Sequence, residues 1–348
     1  MSSSPLPELF GKPTQLLGWQ GLTVTVPATW NLVAFFGDNL KGNFRMADDD
    51  KLRMEVLWEQ FKGTPDVARS VELLLKNIEK TAKKGKHSFT IEESPKLIPS
   101  SRKEHADKEQ LTNFGWKGDA TQAVSHGYGS AWFCEKSNRV VVAHVVGSEG
   151  ENPEKTRRLA AEVLSSFQSH GTGGWQTWSA FGLQVEIPEE FRLTSAKMQT
   201  GRLEFDWERA ATASSAIGVF SPSEWTRRPE RLGLRRLSAA NVVLEYESLE
   251  DWAKRVAVGM WKKFSFKDFE ETEIAGWKAV DAPGRLKDFR RHFWGLVMDK
   301  VLRRKTPPPE LLAWHDEADN KIFVLMSDLW PVNSNIQDDI IDSLQSRT

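Results

Sequence analysis

The residues from which a reactive centre would be built are few and scattered. The seven histidines, His87, His105, His126, His144, His170, His292 and His315, never fall three or four positions apart. That is the spacing that sets two ligands on one helical face, and the lone Cys134 has no second cysteine with which to share a zinc ion or a disulfide. His126 and His144 fall on neighbouring strands of an expected hairpin and are the one pair a metal would bridge. Gly37-Asp38-Asn39-Leu40-Lys41-Gly42 begins as a phosphate loop does. Asn43-Phe44 then stands where Lys-Ser/Thr would reach phosphate and magnesium, so a hairpin loop is expected. Gly127-Tyr128-Gly129-Ser130 departs from a nucleophile elbow at Trp132, where the motif needs glycine. Asp48-Asp49-Asp50 and Asp338-Asp339 read as a solvated turn and a polar helix face, and nothing sets two carboxyls apart in environment as acid–base catalysis demands. The expectation is a non-enzymatic protein with no cofactor.

Arginine interleaved with tryptophan is the remaining chemistry. One stretch carries Trp225, Arg227, Arg228, Arg231, Arg235 and Arg236; another carries Arg290, Arg291, Trp294, Arg303 and Arg304. Guanidinium forks suit phosphate and carboxylate, and indoles offer stacking surfaces, so these residues are the candidate partner-binding set. Phe289, Phe293, Leu296, Val297 and Val301 add a helical apolar spacing around the second stretch. The competing reading is that the arginines are solvated or paired with nearby acids.

The elements that would position them come in two rounds. Gly21-Leu22-Thr23-Val24-Thr25-Val26-Pro27-Ala28-Thr29-Trp30 and Gly182-Leu183-Gln184-Val185-Glu186-Ile187-Pro188-Glu189-Glu190-Phe191 both alternate apolar and polar residues, meet a proline and plant an aromatic three positions on. Each is a half-buried strand ended by a residue that cannot donate to a ladder. A second strand pairing follows, with Trp58-Glu59 set against Trp207-Glu208. A helix is expected from Thr64-Pro65-Asp66 through Val67, Val71, Leu74, Leu75 and Ile78, and another through Trp252, Val256, Met260 and Trp261. Gly115-Trp116-Lys117 is matched to Gly276-Trp277-Lys278, Ala131-Trp132 to Ala313-Trp314, and Asn138 to Asn320. Helices through Leu159–Phe167 and Ile336–Leu344 close the two rounds. Order plus shared dipeptides reads as an internal duplication.

The expected organisation is a polar lead-in over 1–17, a first domain over 18–170, a Gly-rich joint at 171–174 and a second domain over 175–348. Insertions in the second are expected near 210–247 and 285–309. Pro-x-x-Trp/Phe at a strand end, the early hairpin, the amphipathic helix and the ending Ser165-Ser166-Phe167 resemble the Mog1/PsbP-like fold family. The resemblance implies an α+β fold of two similar α/β/α sandwiches, each an antiparallel sheet flanked by helices. It also implies members that mostly bind proteins.

Composition narrows the classes further. The 348 residues suit two cores, and a net charge of -1 provides no global field toward nucleic acid or membrane. The 15 tryptophans serve cores and interfaces alike. Met1-Ser2-Ser3-Ser4-Pro5 lacks the pattern of a signal peptide, so a cytoplasmic location is expected. The leading expectation is a protein-binding adaptor or chaperone-like module of two repeated domains. The alternatives are an RNA- or ribosome-associated factor using the basic insertions, or a small-ligand or enzymatic site at the domain junction.

Overall fold

The structure is a computed structural model that describes residues 11–49, 51–61, 63, 65–92, 97, 111–121, 124–209, 229–274, 276–287, 308–329 and 335–346. The chain divides into two compact units, Met1–Glu189 and Glu190–Thr348.

Unit 1 opens with β1 (Thr14–Trp19) and β2 (Leu22–Pro27), antiparallel with Trp19 opposite Leu22 and Thr14 opposite Pro27. Later come β10 (Trp175–Ala180) and β11 (Leu183–Pro188), with Ala180 opposite Leu183 and Trp175 opposite Pro188. Both hairpins turn on two residues of positive φ, Gln20-Gly21 and Phe181-Gly182. That turn has the twist of the strands it joins, and glycine at its second position takes the left-handed conformation without a Cβ penalty. Val24, Val26, Val185 and Ile187 are buried as the alternation requires. β1 pairs with β10, Gly18 opposite Ser179, which gives the order β2-β1-β10-β11. The Trp19 and Trp178 rings meet edge-on at 5.2 Å across this pairing. The buried Arg139 guanidinium donates to the carbonyls of Gln20 and Ser169, at 2.7 and 3.0 Å, and clamps the first turn.

The larger sheet of unit 1 contains β3 (Asn31–Gly37), β4 (Lys41–Asp48), β5 (Lys51–Gln60), β6 (Phe89–Glu92), β7 (Thr112–Thr121), β8 (Val124–Cys134) and β9 (Arg139–Ser148). They are antiparallel in the order β3-β4-β5-β9-β8-β7-β6. Helix α1 (Val67–Lys84) starts where the Asp66 carboxylate accepts the Arg69 amide. It buries Val67, Val71 and Leu75 in one core with Phe114, Trp116, Ala131, Val140 and Val142. Helix α2 (Pro153–Ser165) starts at Asn152 with proline in its first turn, and buries Ala160, Val163 and Leu164.

Unit 2 contains β12 (Arg192–Gln199), β13 (Arg202–Arg209), β14 (Glu230–Ser238), β15 (Phe264–Phe266), β16 (Glu270–Ile274), β17 (Trp277–Leu286), β18 (Glu310–Asp316) and β19 (Lys321–Asp328). The order is β12-β13-β14-β19-β18-β17-β15, with β16 also on β17. In each unit the sheet runs first, second, third, last, then backward through the remaining strands. The Asn138 and Asn320 turns, both at positive φ, occupy the same β8–β9 and β18–β19 corner.

Two α/β/α sandwiches flanked by helices are not what forms. The fold is a sheet-rich antiparallel β fold, for two physical reasons. The two organising strands do not enter the larger sheets but pair hairpin to hairpin in a sheet of their own. The helix expected through Trp252 and Trp261 is broken into Leu249–Trp252, a π-helical turn Ala253–Ala257 and Val258–Met260, so helical cover in unit 2 is short. The duplicated dipeptides also shift. Gly115 and Trp116 lie opposite Tyr128 and Gly127 in mid-strand, whereas Trp277 lies beside the turn opposite Ile274. Trp58 lies in β5 and Trp207 in β13, the third strand of one sheet and the second of the other. Ala131-Trp132 and Ala313-Trp314 do hold the same register, Trp132 opposite Val141 and Trp314 opposite Phe323.

Candidate protein-docking edge

Among the described residues β3 pairs with β4 alone and forms an edge of its sheet. Its sequence, Asn-Leu-Val-Ala-Phe-Phe-Gly, does not alternate as an edge strand with one wet face should. Leu32 is buried opposite Met46; a bulge at Val33 then throws the strand out of phase. Val33 is 58% exposed, Phe36 76% and Leu40, in the following loop, 48%. Phe35 lies opposite Phe44, and its ring rests on Trp19 at 4.7 Å.

The loop that presents Phe36 and Leu40 is held firmly. Asp38 accepts the amides of Leu40 and Lys41 at 2.8 and 3.1 Å, and the Trp58 indole N–H donates to the Asp38 carbonyl at 2.7 Å. Gly42 lies against that indole, where an added Cβ would stand 2.4 Å from the ring. The Gly37–Gly42 stretch is thus the hairpin loop its sequence implied, with the Asp38, Leu40 and Lys41 amides all bonded within it.

On the Phe36 face a polar row crosses the sheet through Ala34, Arg45, Glu55 and His144, each opposite the next. Arg45 Nε donates to Glu55 Oε1 at 2.7 Å, and His144 Nε2 lies 3.3 Å from Glu55 Oε2. Burial pushes the Glu55 carboxyl up, but hydrogen bonds and charge from His144 and Arg45 outweigh it and leave the group at about 2.

Unit 2 carries the matched edge without the apolar surface. β12 has its bulge between Leu193 and Ser195, as β3 has between Leu32 and Ala34. Counting from the bulge, Thr194, Ala196 and Lys197 stand where β3 has Val33, Phe35 and Phe36. Lys197 reaches Glu204 at 3.7 Å. A charged residue is the ordinary protection of an open edge, and β3 lacks it.

The arginines singled out by sequence lie elsewhere. Arg231, Arg235 and Arg236 are not in an insertion; they lie on β14, an interior strand paired with β13 and β19. Arg235 is 3% exposed, bidentate to Asp206 at 2.7 and 2.9 Å, hydrogen-bonded to the Phe205 carbonyl and stacked on Trp261 at 4.6 Å. Arg231 pairs with Glu208 at 2.7 Å. Burial lowers the Arg236 pKa, against the opposing charge of Asp319. These three serve the interior of unit 2. Trp225, Arg227, Arg228, Arg290, Arg291, Trp294, Arg303 and Arg304 lie outside the described residues. His126 meets Thr156 at 2.9 Å and His144 meets Glu55, so the hairpin histidines point into different contacts. Among the described residues no group of three or more His, Cys, Asp or Glu side chains is placed to hold a metal ion. None of the described helices is long and apolar enough to cross a membrane.

No protein-family model and no curated protein matches the chain. Among solved structures it is similar to the immunity protein TplEi of T6SS from Pseudomonas aeruginosa. The form complexed with "L" peptide has 10% identity, covers 96% of this chain and 97% of that one, and gives a TM-score of 0.30. The apo form has 11% identity, 96% coverage of both chains and a TM-score of 0.32. A protein from Bacteroides thetaiotaomicron VPI-5482 has 12% identity, covers 47% of this chain and 49% of that one, and gives a TM-score of 0.21. Overlap at this level carries no argument, and function is read from the surface.

Nothing in the local pattern marks β3 as an edge. Its signal was the unbroken apolar run Leu32–Phe36, which reads as an ordinary buried strand until a sheet order puts it at the rim.

Proposed function

We propose that this chain acts by binding another protein, not by catalysis, and that the partner docks on the β3 edge and its hairpin loop. The observation that carries the reading is Phe36, 76% exposed on an open strand, where the matched strand of unit 2 has Lys197. Exposed phenylalanine on an unpaired edge is a standing aggregation hazard, and a stable protein keeps one where something covers it. The rigid loop below it favours a preformed surface. An adaptor or chaperone-like role fits such a surface. The duplication read from the sequence belongs to this proposal, supported by the shared strand order and bulge position. It makes β3 the specialised copy of an edge that β12 keeps plain.

The test is a photo-crosslinking phenylalanine analogue at position 36, with the same residue at position 197 as control, in the cells that express the chain. A discrete crosslinked protein is expected from position 36 and none from 197. Equal or absent crosslinking at both positions removes the reading.

A further inference from the structure

We propose that the occupant of the β3 edge is an extended segment of the partner that adds as a further strand. It carries an acidic side chain opposite Ala34 and a large apolar one two positions away, opposite Phe36. This rests on the docking reading above and gives the partner its chemistry.

The backbone decides between an extended segment and a helix. An open edge presents N–H and C=O groups at a two-residue period, and only another extended chain offers matching groups, since a helix uses its own internally. The side chains decide the pattern. Alternation puts Ala34 and Phe36 on one face, opposite Arg45 and Asn43. Strands added to this edge would continue those two rows.

His144 and Arg45 both converge on Glu55, and Arg45 engages it through Nε. A guanidinium has five N–H donors in a fixed fork, so donors beyond Nε remain for a second anion. Arg45 is half exposed, and the residue between it and an incoming strand is Ala34, whose methyl group leaves the path over the sheet open. Two strand spacings, roughly 9 to 10 Å, separate β4 from the added strand, a gap that a long arginine and a glutamate close together. Lys41, two positions after the Asp38-Asn39 turn on the same strand as Arg45, is already paired with Glu59 at 2.8 Å. The neighbouring row is apolar at its outer end, where Phe36 stands opposite Asn43 and Leu57 follows opposite Asn43 on the far side. An apolar partner residue there covers Phe36.

The experiment titrates the full-length protein with short fluorescent peptides of alternating threonine and valine. Their central residues are Glu-Thr-Phe, Lys-Thr-Phe, or Glu-Thr-Phe with alternate amides N-methylated in either phase. The glutamate peptide is expected to bind about fivefold tighter than the lysine peptide, the upper range of a half-exposed ion pair. N-methylation in one phase should abolish binding, Arg45→Ala should erase the glutamate preference, and Phe36→Lys should weaken every peptide. Equal affinity of the glutamate and lysine peptides for the unaltered protein overturns the acidic preference, whatever Arg45→Ala does to folding. Binding indifferent to N-methylation in both phases overturns strand addition. If no peptide binds while position 36 still crosslinks a partner, the strand inference fails and the docking reading stands; if position 36 also crosslinks nothing, both fall.

Discussion

Two side chains show how differently the same residue type is used. Arg45 lies one strand in from a rim with donors to spare, whereas Arg235 has its charge neutralised by Asp206 inside unit 2 and its plane against Trp261. Removing one partner of a buried pair leaves the other uncompensated, so Arg235→Ala should cost about 3–5 kcal/mol in denaturant unfolding, and replacing both partners together, Arg235→Met with Asp206→Leu, clearly less. Glu55 makes a prediction in pH. Its folded pKa, about 2, lies below its ordinary 4.5, so its contribution to stability is complete above pH 4.5 and is lost as pH falls toward 2. Urea midpoints of the unaltered protein should drop faster across that window than those of Glu55→Gln; parallel curves would contradict the pairing with His144 and Arg45.

At the scale of elements, local signals and environment separate cleanly. Helix α1 was legible because Asp66 caps it and Val67, Val71 and Leu75 recur on one side. Asp66→Ala should cost about 1 kcal/mol in thermal or urea unfolding, the usual worth of an N-cap. The β1–β2 and β10–β11 hairpins were legible through Pro27 and Pro188 and the glycines that their turns require. The helix expected in unit 2 is interrupted, because apolar spacing through Trp252, Val256 and Trp261 does not reveal a π turn between them. The β3 edge was not legible at all. Leu32 to Phe36 differ little in polarity, yet Leu32 is buried and Phe36 is open because of one bulge. Since Phe36 supports so little of the fold, Phe36→Lys should change unfolding free energy by no more than about 0.5 kcal/mol while lowering self-association in light scattering. A large loss would mean that Phe36 is structural.

At the scale of the whole chain, the sequence places a joint at 171–174, whereas the compact unit continues through β10 and β11 to Glu189. Chain 1–174 would lose Trp178 from beside Trp19 and the Ser179 hydroxyl from the Leu16 carbonyl. It should therefore unfold at least about 3 kcal/mol more easily than chain 1–189, the usual cost of deleting one buried tryptophan. Equal stability of the two fragments in urea would show that the second hairpin contributes nothing to unit 1.

Sequence by itself determined what depends on nearest neighbours along the chain: the two Pro-ended strands, the capped helices α1 and α2, and the asparagine corners before Arg139 and Lys321. Tertiary structure alone decided which strand lies at a rim, which arginine is solvated and which is sealed under an indole. Those outcomes depend on residues far apart in the chain meeting across a sheet, as Glu55 meets His144 and Arg235 meets Asp206. Strand order is a long-range property that no local pattern of polarity encodes, and it is strand order that leaves Phe36 exposed at an edge.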